Sequence, residues 1–463
     1  MSAAPHDRLS LATLDRVPAA VQRPPYDPRA LQTGIVHLGV GAFHRAHQAV
    51  YTEDAIAAHG GDWGIIGVSL RRSNAAQALC PQNGLYAVET RDEASTHRVI
   101  GALRDVLTAP QQRAATEAAL ADRRTHIVTL TVTEKAYALT PEGCLDVTDA
   151  DIAHDIAAPN EPASAVGWLA RGLALRFRTH RQPLTVISCD NLSGNSHKLR
   201  AALLDFVRLA DPDTAPWIED AIRFPNTMVD CVVPATDAAA LARAEACLGV
   251  RDAAVVQRER FSQWAIEDDF AGPRPAWDAV GAQLVRDVAP YERMKLHVLN
   301  ATHSALAYLG IPRGHAFVRQ AIHDRNLVTV LDDMVQNEIA PALASLPVSD
   351  YWRETKKRFA NPNIDHALAQ IAEDGSKKLA VRLFPLLIEN ERLGRPTRRM
   401  AQVVRAWLDF ARTHPALKDP NAAALAQWTR AGGEVSVALD DPRLFPDAFR
   451  TDARLRAALM SAA

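Results

Sequence analysis

The sequence feature that most constrains the fold is a short apolar run that leads directly into a pair of glycines. The run Gly34-Ile-Val-His-Leu-Gly39-Val-Gly41 predicts a buried strand that ends in a Gly-x-Gly turn, and residues 46–58 follow with a helical pattern. A strand, a glycine turn and a helix in this order form the unit in which a helix N-terminus binds a pyrophosphate. The third glycine of the full fingerprint is missing, because His44 occupies its position. The segment is compatible with dinucleotide binding but does not establish it.

The next predicted strand carries the position that usually recognises the adenosine ribose. Trp63–Leu70 has a β pattern, and in an NAD-binding fold an acid near the end of this strand bonds the ribose hydroxyls. This chain has Ser69 there, followed by Arg71 and Arg72, and no carboxylate. The two guanidinium groups could accept a 2′-phosphate, or they could form a solvated basic turn. The choice between NAD and NADP therefore stays open at this point.

Further strand and helix patterns alternate through the first 285 residues and place polar groups at strand ends. His126–Thr133 is rich in β-branched residues and runs into Glu134, while Leu184–Cys189 runs into Asn191. A later run over residues 224–230 ends on Asp230. The carboxyl ends of strands in open α/β sheets form the ligand crevice, so Asn191 is a site candidate by position. A single Asn in a turn is nevertheless more often structural.

The pattern of the sequence changes near residue 285, where strand-like runs nearly vanish. We therefore predict an irregular lead-in over residues 1–30, an α/β Rossmann-type dinucleotide-binding domain over 31–285 and a mostly α-helical substrate and catalytic domain over 286–463. Two domains also suit a chain of 463 residues, which exceeds the usual size of a single core. The helices predicted for the second domain are Tyr291–Leu309, His315–Glu338, Tyr351–Phe359, Ile364–Ala372, Lys377–Leu393 and Met400–Thr413.

Three polar residues, Lys295, Asn300 and His303, lie within the first of these helices. At 100° per residue they project at roughly 0°, 140° and 80°, so one side of a helix presents all three. An amine beside two hydrogen-bond donors is the set of groups that proton removal from an alcohol uses. Such a spacing also arises by chance on many helices. It indicates a catalytic site only in combination with the rest of the chain.

Two other alcohol dehydrogenase chemistries fit the sequence less well. A zinc enzyme needs Cys, His or Glu ligands at suitable spacing, and the five cysteines are scattered, so no metal is expected. A short-chain dehydrogenase uses Tyr-x-x-x-Lys, which Tyr291 and Lys295 match. That pair belongs inside a single smaller domain, however, whereas here it lies far beyond the glycine turn and opens another domain. We interpret Tyr291 as a packing or rim residue.

Composition excludes several classes of partner. The net charge of −2 gives no reason to expect nucleic acid or an anionic membrane surface as a partner. No apolar run is long enough for a membrane span, and the N-terminus lacks the apolar core of a signal peptide. The scattered cysteines fit reduced thiols in the cytoplasm. We expect a cytoplasmic protein that acts on a small molecule, and its oligomeric state is not readable from the sequence.

A set of motifs is spread over residues 25–440. The motifs are Gly39-Val-Gly41-Ala-Phe43-His-Arg45-Ala-His47-Gln, Thr131-Val-Thr-Glu-Lys135, Ser188-Cys-Asp190-Asn191, Met228-Val-Asp230, Gln263-Trp-Ala-Ile-Glu-Asp268, Met294-Lys295…Asn300…His303-Ser-Ala-Leu-Ala-Tyr-Leu-Gly310 and Asp374-Gly-Ser-Lys-Lys378. Together they resemble the mannitol dehydrogenase family of long-chain polyol and hexuronate dehydrogenases. The resemblance implies a Rossmann-type N-terminal domain, a helical C-terminal domain and metal-independent hydride transfer with NAD, or with NADP.

The resemblance also implies roles for individual residues. Lys295 would be the general base, Asn300 and His303 would bind the reacting oxygen, Asn191 would assist and Asp230 would orient the array. A lysine of pKa about 10.4 needs burial or a nearby cation to be neutral for this role. Glu292 could pass the proton to solvent or could be a plain surface acid. The expected cofactor-binding residues are Gly39, Gly41, Phe43, Arg45, Ser69, Arg71 and Glu134.

The chain departs from the family at one position and leaves the substrate open. Members usually carry Met-Val-Asp-Arg, whereas Cys231 follows Asp230 here, which puts the geometry of Asp230 in doubt. The motifs around Lys135 and Lys378 look closer to fructuronate reductases than to mannitol 2-dehydrogenases. A substrate carboxylate would need a cation, which Lys378, Lys377 or Lys135 could supply. We predict D-fructuronate reductase (D-mannonate oxidoreductase), with mannitol 2-dehydrogenase as the alternative and a non-catalytic sugar- or nucleotide-binding protein as the alternative of another class.

Overall fold

The computed structural model describes residues 7–92, 94–414 and 418–461. The chain divides into two compact units, of which the first ends at Ala289 and the second begins at Pro290. All the strands found in the described residues belong to the first unit. They are β1 (Thr33–Leu38), β2 (Gly64–Ser69), β3 (Tyr86–Arg91), β4 (Thr96–Ile100), β5 (Leu103–Thr108), β6 (Ile127–Leu130), β7 (Leu184–Ser188), β8 (Ile222–Arg223), β9 (Thr227–Asp230), β10 (Val256–Glu259), β11 (Gln263–Glu267) and β12 (Gln283–Val285).

The main sheet of the first unit is a six-stranded parallel sheet in the order β5-β2-β1-β6-β7-β8. Counted along the chain within this sheet, the order is 3-2-1-4-5-6, which is that of a doubly wound dinucleotide-binding fold. Both faces of the sheet are covered, which is why β1, β6 and β7 read as nearly continuous apolar runs. The strand order changes direction between β1 and β6, which remain parallel, and ligands bind at the carboxyl ends of strands beside such a switch point. The predicted Rossmann-type fold is confirmed.

Two smaller three-stranded sheets, β10-β3-β4 and β12-β11-β9, complete the strands of the first unit. The second of these pairs β9 antiparallel with β11 and places Asp230 opposite Gln263. Asp230 therefore ends a strand outside the parallel sheet. The helices of this unit are α1 (Ala42–Ala46), α2 (Gln48–His59), α3 (Asn74–Leu79), α4 (Arg113–Ala121), α5 (Ala150–Ala157), α6 (Ala165–Thr179), α7 (Asn195–Ala210), α8 (Ala215–Ala221) and α9 (Ala238–Leu248).

The helix after the glycine turn differs from the prediction of a single segment over residues 46–58. It starts immediately after Gly41 as α1 and continues as α2 beyond a break at His47, whose φ of −125° and ψ of −86° are not helical. The ring of His47 contacts the carbonyl of Gln263 through Nε2 at 3.0 Å, which fixes the break from a distant part of the chain. Because that contact is tertiary, the local pattern gave no sign of it.

The second unit is helical, as predicted, and the residues described between 290 and 461 include no strand. Its centre is α11, whose ten residues are all buried. Among the described helices of the whole chain, none is long and apolar enough to cross a membrane. The helices from this part of the chain are α10 (Ala289–Met294), α11 (Ala301–Gly310), α12 (Val318–Ala321), α13 (Arg325–Asp333), α14 (Val348–Phe359), α15 (Leu368–Ala372), α16 (Gly375–Arg382), α17 (Phe384–Arg392), α18 (Arg398–Thr413), α19 (Ala422–Arg430), α20 (Val435–Leu439), α21 (Ala448–Thr451) and α22 (Ala453–Ser461).

Three of the helices predicted for the second unit differ from the prediction, two by interruption and one by its length. The prediction over 315–338 is replaced by α12, α13 and a π-helical turn at Met334–Ile339, because the side chain of Asp324 caps a new helix by accepting from the N–H groups of Asn326 and Leu327. The prediction over 377–393 breaks at Leu383, just before Pro385 in the first turn of α17. Only the last five residues of the predicted helix over 364–372 are helical.

Candidate functional site

A cavity of about 570 Å³ lies at the carboxyl ends of β1, β2 and β6 in the first unit. Four of the predicted cofactor-binding residues line it, namely Gly39, Gly41, Ser69 and Arg71. Lys135 lines it as well. Other lining residues come from the ends of β2 and β6 and from the segment around α5: Arg72, Asn74, Thr131, Thr133, Asp149, Asp151 and Ser164. The location is where a doubly wound sheet binds its ligand.

Gly39 and Gly41 have different structural roles at this cavity. Gly39 has a φ of +91°, and a Cβ there would lie 2.2 Å from the carbonyl oxygen of Thr131, so the turn closes against the end of β6 only without a side chain. A Cβ on Gly41 would meet only the carbonyl oxygen of Gly39, at 3.7 Å. Gly41 therefore leaves open space between the backbone and the cavity. This bare backbone at the start of a helix fits the close approach of a pyrophosphate.

His44, in the place of the third glycine, stacks on His37 of β1. The two ring centroids are 3.4 Å apart and the planes differ by 12°. His37 is held by Thr129 Oγ1 at 2.7 Å, Thr131 Oγ1 at 2.9 Å and the Gly39 carbonyl at 3.1 Å. Both ring nitrogens of His44 are buried without a hydrogen-bond partner. In the usual fingerprint the third glycine lets the helix pack closely on the first strand. Here α1 packs on β1 through the stacked rings of His44 and His37 instead.

Burial sets the protonation state of this stacked pair. It lowers the pKa of His37 to about 3, and the hydrogen bond to the Gly39 carbonyl opposes this lowering. Burial also lowers the pKa of His44 well below its ordinary value, with the neighbouring positive or ionisable groups of His37, Arg45 and His47 adding to the effect. Both rings are neutral at neutral pH. The sequence contained a signal for this pair, since both histidines stand in otherwise apolar or small-residue positions, but local reasoning did not use it.

Three other residues predicted to bind cofactor do not line the cavity. The guanidinium of Arg45 donates to the carbonyl of Ala254 and lies 5.5 Å from the centre of the Tyr86 ring. The ring of Phe43 stacks on that of His47 at 5.1 Å. Glu134 is exposed in the short 3₁₀ turn that follows Thr133. A cofactor role for these three residues therefore stays a prediction from resemblance.

Asp190, next to the predicted site residue Asn191, anchors the end of β6. Its carboxylate accepts from the N–H of Thr133 at 2.8 Å and from the hydroxyl of Tyr137 at 2.7 Å. Thr133 has a φ of +74°, which is costly for a β-branched residue and persists only where its surroundings enforce it. Burial raises the pKa of Asp190, while the Tyr137 hydrogen bond opposes that rise. Asn191 follows as an exposed residue at the end of β7.

Asn195 connects this region to the strand that ends in Asp230. Its side-chain Nδ2 donates to the carbonyls of Asp190 at 3.0 Å and of Thr227 at 2.9 Å. Asp230 itself is 5% exposed, and Cys231 beside it is half-buried. Asp190 and Asn195 join the ends of β6, β7 and β9 by hydrogen bonds. The sequence reasoning gave these two residues no role, because the contacts join strands that are distant in the chain.

The predicted catalytic lysine and asparagine bound a π-helical segment, Lys295–Asn300, between α10 and α11. The carbonyl of Asn300 accepts from Arg382 Nη1 at 3.0 Å, and the ring of His297 contacts the carbonyl of Arg382 at 2.9 Å. Arg382 thus contacts the widened turn within it, at His297, and at its C-terminal end, at Asn300. In an α-helix residues five apart project about 140° apart. A π-turn closes hydrogen bonds between residues five apart and so brings Lys295 and Asn300 closer to the same side.

His303, one turn further on, is buried in a cationic and aromatic environment. Its ring stacks on Phe359 with centroids 4.3 Å apart and meets the His366 ring edge-on at 5.1 Å. Burial lowers the pKa of His303 well below its usual value, and His366, Arg382, Arg358 and Lys378 add to the lowering in that order. A neutral imidazole at this position has one N–H to donate and one nitrogen to accept.

The cations beside His303 form what we call the cationic cluster, defined as Arg358, Lys378 and Arg382. Lys378 Nζ donates to the carbonyl of Ile371 at 3.1 Å, and burial followed by Arg382 lowers the pKa of Lys378. Arg382 also donates to Ser304 Oγ at 2.9 Å, and burial lowers its pKa to about 10. Positive charges held together at a partly buried place favour an anion as ligand. Among the residues that the structure describes, no group of three or more His, Cys, Asp or Glu is arranged to hold a metal ion.

Two family models match the chain over most of its length. The model described as the mannitol dehydrogenase Rossmann domain matches residues 33–279, and that described as the mannitol dehydrogenase C-terminal domain matches residues 287–447. The resemblance found in the sequence is thereby confirmed. Together the matches take in the glycine turn and the Lys295 segment.

Named relatives and a solved structure agree with these models. A D-mannonate oxidoreductase of Escherichia coli strain K12 is 39% identical, covering 84% of this chain and 82% of the relative. A polyol:NADP oxidoreductase of Gluconobacter oxydans strain 621H is 38% identical, covering 80% and 78%. The ternary complex of Pseudomonas fluorescens mannitol 2-dehydrogenase with NAD and D-mannitol superposes with a TM-score of 0.84 at 33% identity, covering 98% of this chain and 95% of that one.

Proposed function

The chain belongs to the mannitol dehydrogenase family, and we propose that it is an NAD(P)-dependent oxidoreductase that interconverts D-mannonate and D-fructuronate without a metal. The membership makes it an oxidoreductase of the family whose named relatives include polyol and aldonate enzymes. The observation that carries the choice of a sugar acid is the cationic cluster beside His303. A carboxylate on the substrate is the group that such a cluster would bind.

The proposed chemistry assigns each residue of the Lys295 helix one task. In the oxidation direction neutral Lys295 takes the proton of the reacting hydroxyl, and in reduction the protonated amine returns it. Bound NAD(P) supplies the hydride acceptor or donor. Asn300 donates a hydrogen bond to the reacting oxygen, and neutral His303 donates its single N–H to the same atom. By resemblance, Asn191 assists at that oxygen and Asp230 orients the array.

The lowered pKa of His303 supports proton transfer by Lys295 and hydrogen-bond donation by His303 as separate roles. A histidine that stays neutral over the working range cannot compete with Lys295 for the proton that is transferred. It stabilises the developing alkoxide as a hydrogen-bond donor instead. Groups of this type contribute about 10²- to 10³-fold to turnover. The pH dependence of turnover is then expected to follow Lys295 rather than His303.

The cationic cluster offers a place for the substrate carboxylate. Lys378 has three N–H groups and gives one to the carbonyl of Ile371, so the others are available to a ligand. Burial and the nearby charge of Arg382 lower its pKa, while the carboxylates of Asp374, Glu373 and Asp419 oppose the lowering. A substrate carboxylate bound beside Lys378 and Arg382 would offset their positive charges further. This balance of charge supports fructuronate over fructose as the ketone substrate.

A second candidate, mannitol 2-dehydrogenase, is favoured by a different observation. Lys378 and Arg382 already have protein partners in the Ile371 carbonyl, the Asn300 carbonyl and Ser304 Oγ. If those bonds fully account for the two cations, the site is left to a neutral polyol such as mannitol. The superposition on mannitol 2-dehydrogenase over nearly the whole chain is compatible with this candidate.

The deciding experiment is a spectrophotometric assay of NADH and NADPH oxidation against D-fructuronate, D-tagaturonate and D-fructose. We expect kcat/KM for fructuronate to exceed that for fructose by at least tenfold. Lys378→Met should lower kcat/KM for fructuronate about tenfold and leave that for fructose unchanged. Lys357→Met, which removes an exposed lysine of α14 outside the cationic cluster, should change neither value and serves as the control. Rapid reduction of fructose with no reduction of either uronate would overturn the proposal in favour of the mannitol enzyme.

A separate variant distinguishes an enzyme from a non-catalytic binding protein on the same scaffold. Lys295→Ala should abolish turnover of every sugar while NADH still binds, because the amine is used only in proton transfer. Binding is measured by quenching of the fluorescence of the eight tryptophans. Unchanged turnover in Lys295→Ala would refute the mechanism, and nucleotide binding without turnover in the unmodified protein would favour a binding protein.

A further inference from the structure

The end of β2 lacks the carboxylate that NAD-binding folds ordinarily place there. Ser69 ends the strand, and Arg71, Arg72 and Asn74 follow; all four line the cavity of the first unit. In doubly wound folds the residue at this position distinguishes the ribose 2′-hydroxyl of NAD from the 2′-phosphate of NADP. On the β2 side alone, the cavity presents guanidinium groups and no acid.

A carboxylate reaches the same cavity from a distant part of the chain. Asp151, in the first turn of α5, lines the cavity and forms an ion pair with Arg71. Its backbone N–H is bonded to Asp149 Oδ1 at 3.0 Å, which fixes the start of the helix and hence the origin of the Asp151 side chain. The side chains of Arg71 and Asp151 are 74% and 40% exposed. The ion pair is therefore formed at the rim of the cavity, where solvent and a ligand can both reach it.

We propose that the Arg71–Asp151 pair decides between NAD and NADP in this chain, with Asp151 supplying the acid that β2 lacks. The inference rests on the proposed function only in that the cavity binds a dinucleotide. With the pair intact, the carboxylate of Asp151 accepts a hydrogen bond from the ribose 2′-hydroxyl and repels a 2′-phosphate. Arg71 is engaged by Asp151 and is withheld from the phosphate. The intact pair therefore favours NAD.

Because the Arg71–Asp151 ion pair is exposed, a single substitution should change the preference between NAD and NADP. Exposed ion pairs contribute little to stability, so either partner is released at small cost. Once Asp151 is neutral, Arg71 is free to bind a 2′-phosphate together with Arg72, which follows it in the chain and lines the same cavity. Guanidinium groups bind phosphate oxygens well because their N–H groups form a planar fork. One change of charge at Asp151 thus removes a repulsion and adds an attraction.

The test measures dissociation constants of NADH and NADPH by tryptophan fluorescence, which requires no sugar substrate. In Asp151→Asn we expect the ratio of the NADPH to the NADH dissociation constant to fall at least tenfold. Adding Arg71→Met to Asp151→Asn should remove most of that gain. Asp105→Asn, which removes an exposed acid of the same unit outside the cavity, should leave the ratio unchanged.

Two outcomes would overturn the inference: a ratio within twofold of the unmodified protein in Asp151→Asn, or a gain that persists when Arg71 is also replaced. Thermal melts of each variant show whether the fold is intact, and Arg71→Met alone, which should not improve NADPH binding, provides a second reading. A failure of the proposed function would give a different result from a failure of this inference. In that case nucleotide binds with the expected ratios but no sugar is reduced.

Discussion

Each unit contains two histidines in ring contact, both buried in the first unit and with His366 half-buried in the second, and the pairs differ in what surrounds them. In the first unit His37 and His44 stack face to face at 3.4 Å, with hydroxyl and carbonyl groups on His37 and no partner on the nitrogens of His44. In the second, His303 and His366 meet edge-on at 5.1 Å beside the cationic cluster. Burial lowers the pKa in both pairs. A lowered pKa therefore does not by itself indicate a catalytic residue, whereas several cations close together, as beside His303, favour an anionic ligand.

The comparison is tested most strongly by His303→Ala. Loss of the N–H that would stabilise the reacting oxygen should reduce kcat about 10²- to 10³-fold, or about 2.7–4 kcal/mol, in steady-state assays. KM should change much less, because the hydrogen bond strengthens in the transition state. His366→Ala is the control from the same pair. An equal loss of kcat in His303→Ala and His366→Ala would show that His303 contributes only through packing and not through its N–H.

His44→Ala is the matching change in the first unit and should act on stability instead. Removing a fully buried ring leaves a cavity under the glycine turn, at an expected cost of about 2–4 kcal/mol in the free energy of unfolding, measured by urea titration. NADH binding should also weaken, since the turn that ends in Gly41 loses support.

His44→Phe separates packing from polarity at the same position. It keeps the stack on His37 and removes two buried nitrogens that have no partner, so stability should stay within about 1 kcal/mol of the unmodified protein. A loss as large as that in His44→Ala would mean that His44 contributes by its nitrogens rather than by its shape.

The pH dependence of unfolding distinguishes the neutral stacked pair from ordinary histidines. The pKa of His37 is about 3 in the folded protein and near 6.5 when unfolded, so the unfolded state binds more protons between these values. The contribution of each such neutral histidine to the free energy of unfolding is therefore fully present above pH 6.5. It is lost as the pH decreases towards 3, by at most about 1.4 kcal/mol per pH unit. His44→Phe should show a shallower fall between pH 6.5 and 4.5. Equal slopes in the two proteins would contradict a neutral buried His44.

The smallest effect is expected from the aromatic contact of His303. Phe359→Leu removes the ring that stacks on His303 at 4.3 Å and keeps an apolar side chain there. A ring contact of this kind contributes about 0.5–1.5 kcal/mol, so kcat should fall between about twofold and tenfold through misplacement of the imidazole. Trp352→Phe, a nearby aromatic change that leaves Phe359 in place, should leave kcat within twofold.

Prediction from the sequence succeeded where the signal was local and periodic. The Gly39–Gly41 turn, the alternation of strands and helices and the change to helices near residue 285 each depend on neighbours in the chain, and the two-part fold was correctly predicted. Helix boundaries were less accurate, because the cap at Asp324 and the break at His47 end helices that the apolar pattern alone would continue. The spacing of Lys295, Asn300 and His303 predicted a candidate site on a regular α-helix, whereas the structure has a π-helical segment over Lys295–Asn300; the catalytic roles stay a prediction.

The sequence by itself determined the family, the residue types at the candidate site and the absence of a carboxylate at the end of β2. Only the tertiary structure decided how those residues are presented. It bonds Arg382 to the carbonyl of Asn300 and so secures the π-turn, it keeps His303 neutral among cations, and it brings Asp151 to Arg71 from 80 residues away. The physical reason is that charge, burial and hydrogen bonding act through space. The glycine turn could be read from consecutive residues, whereas the partners of each polar group could not.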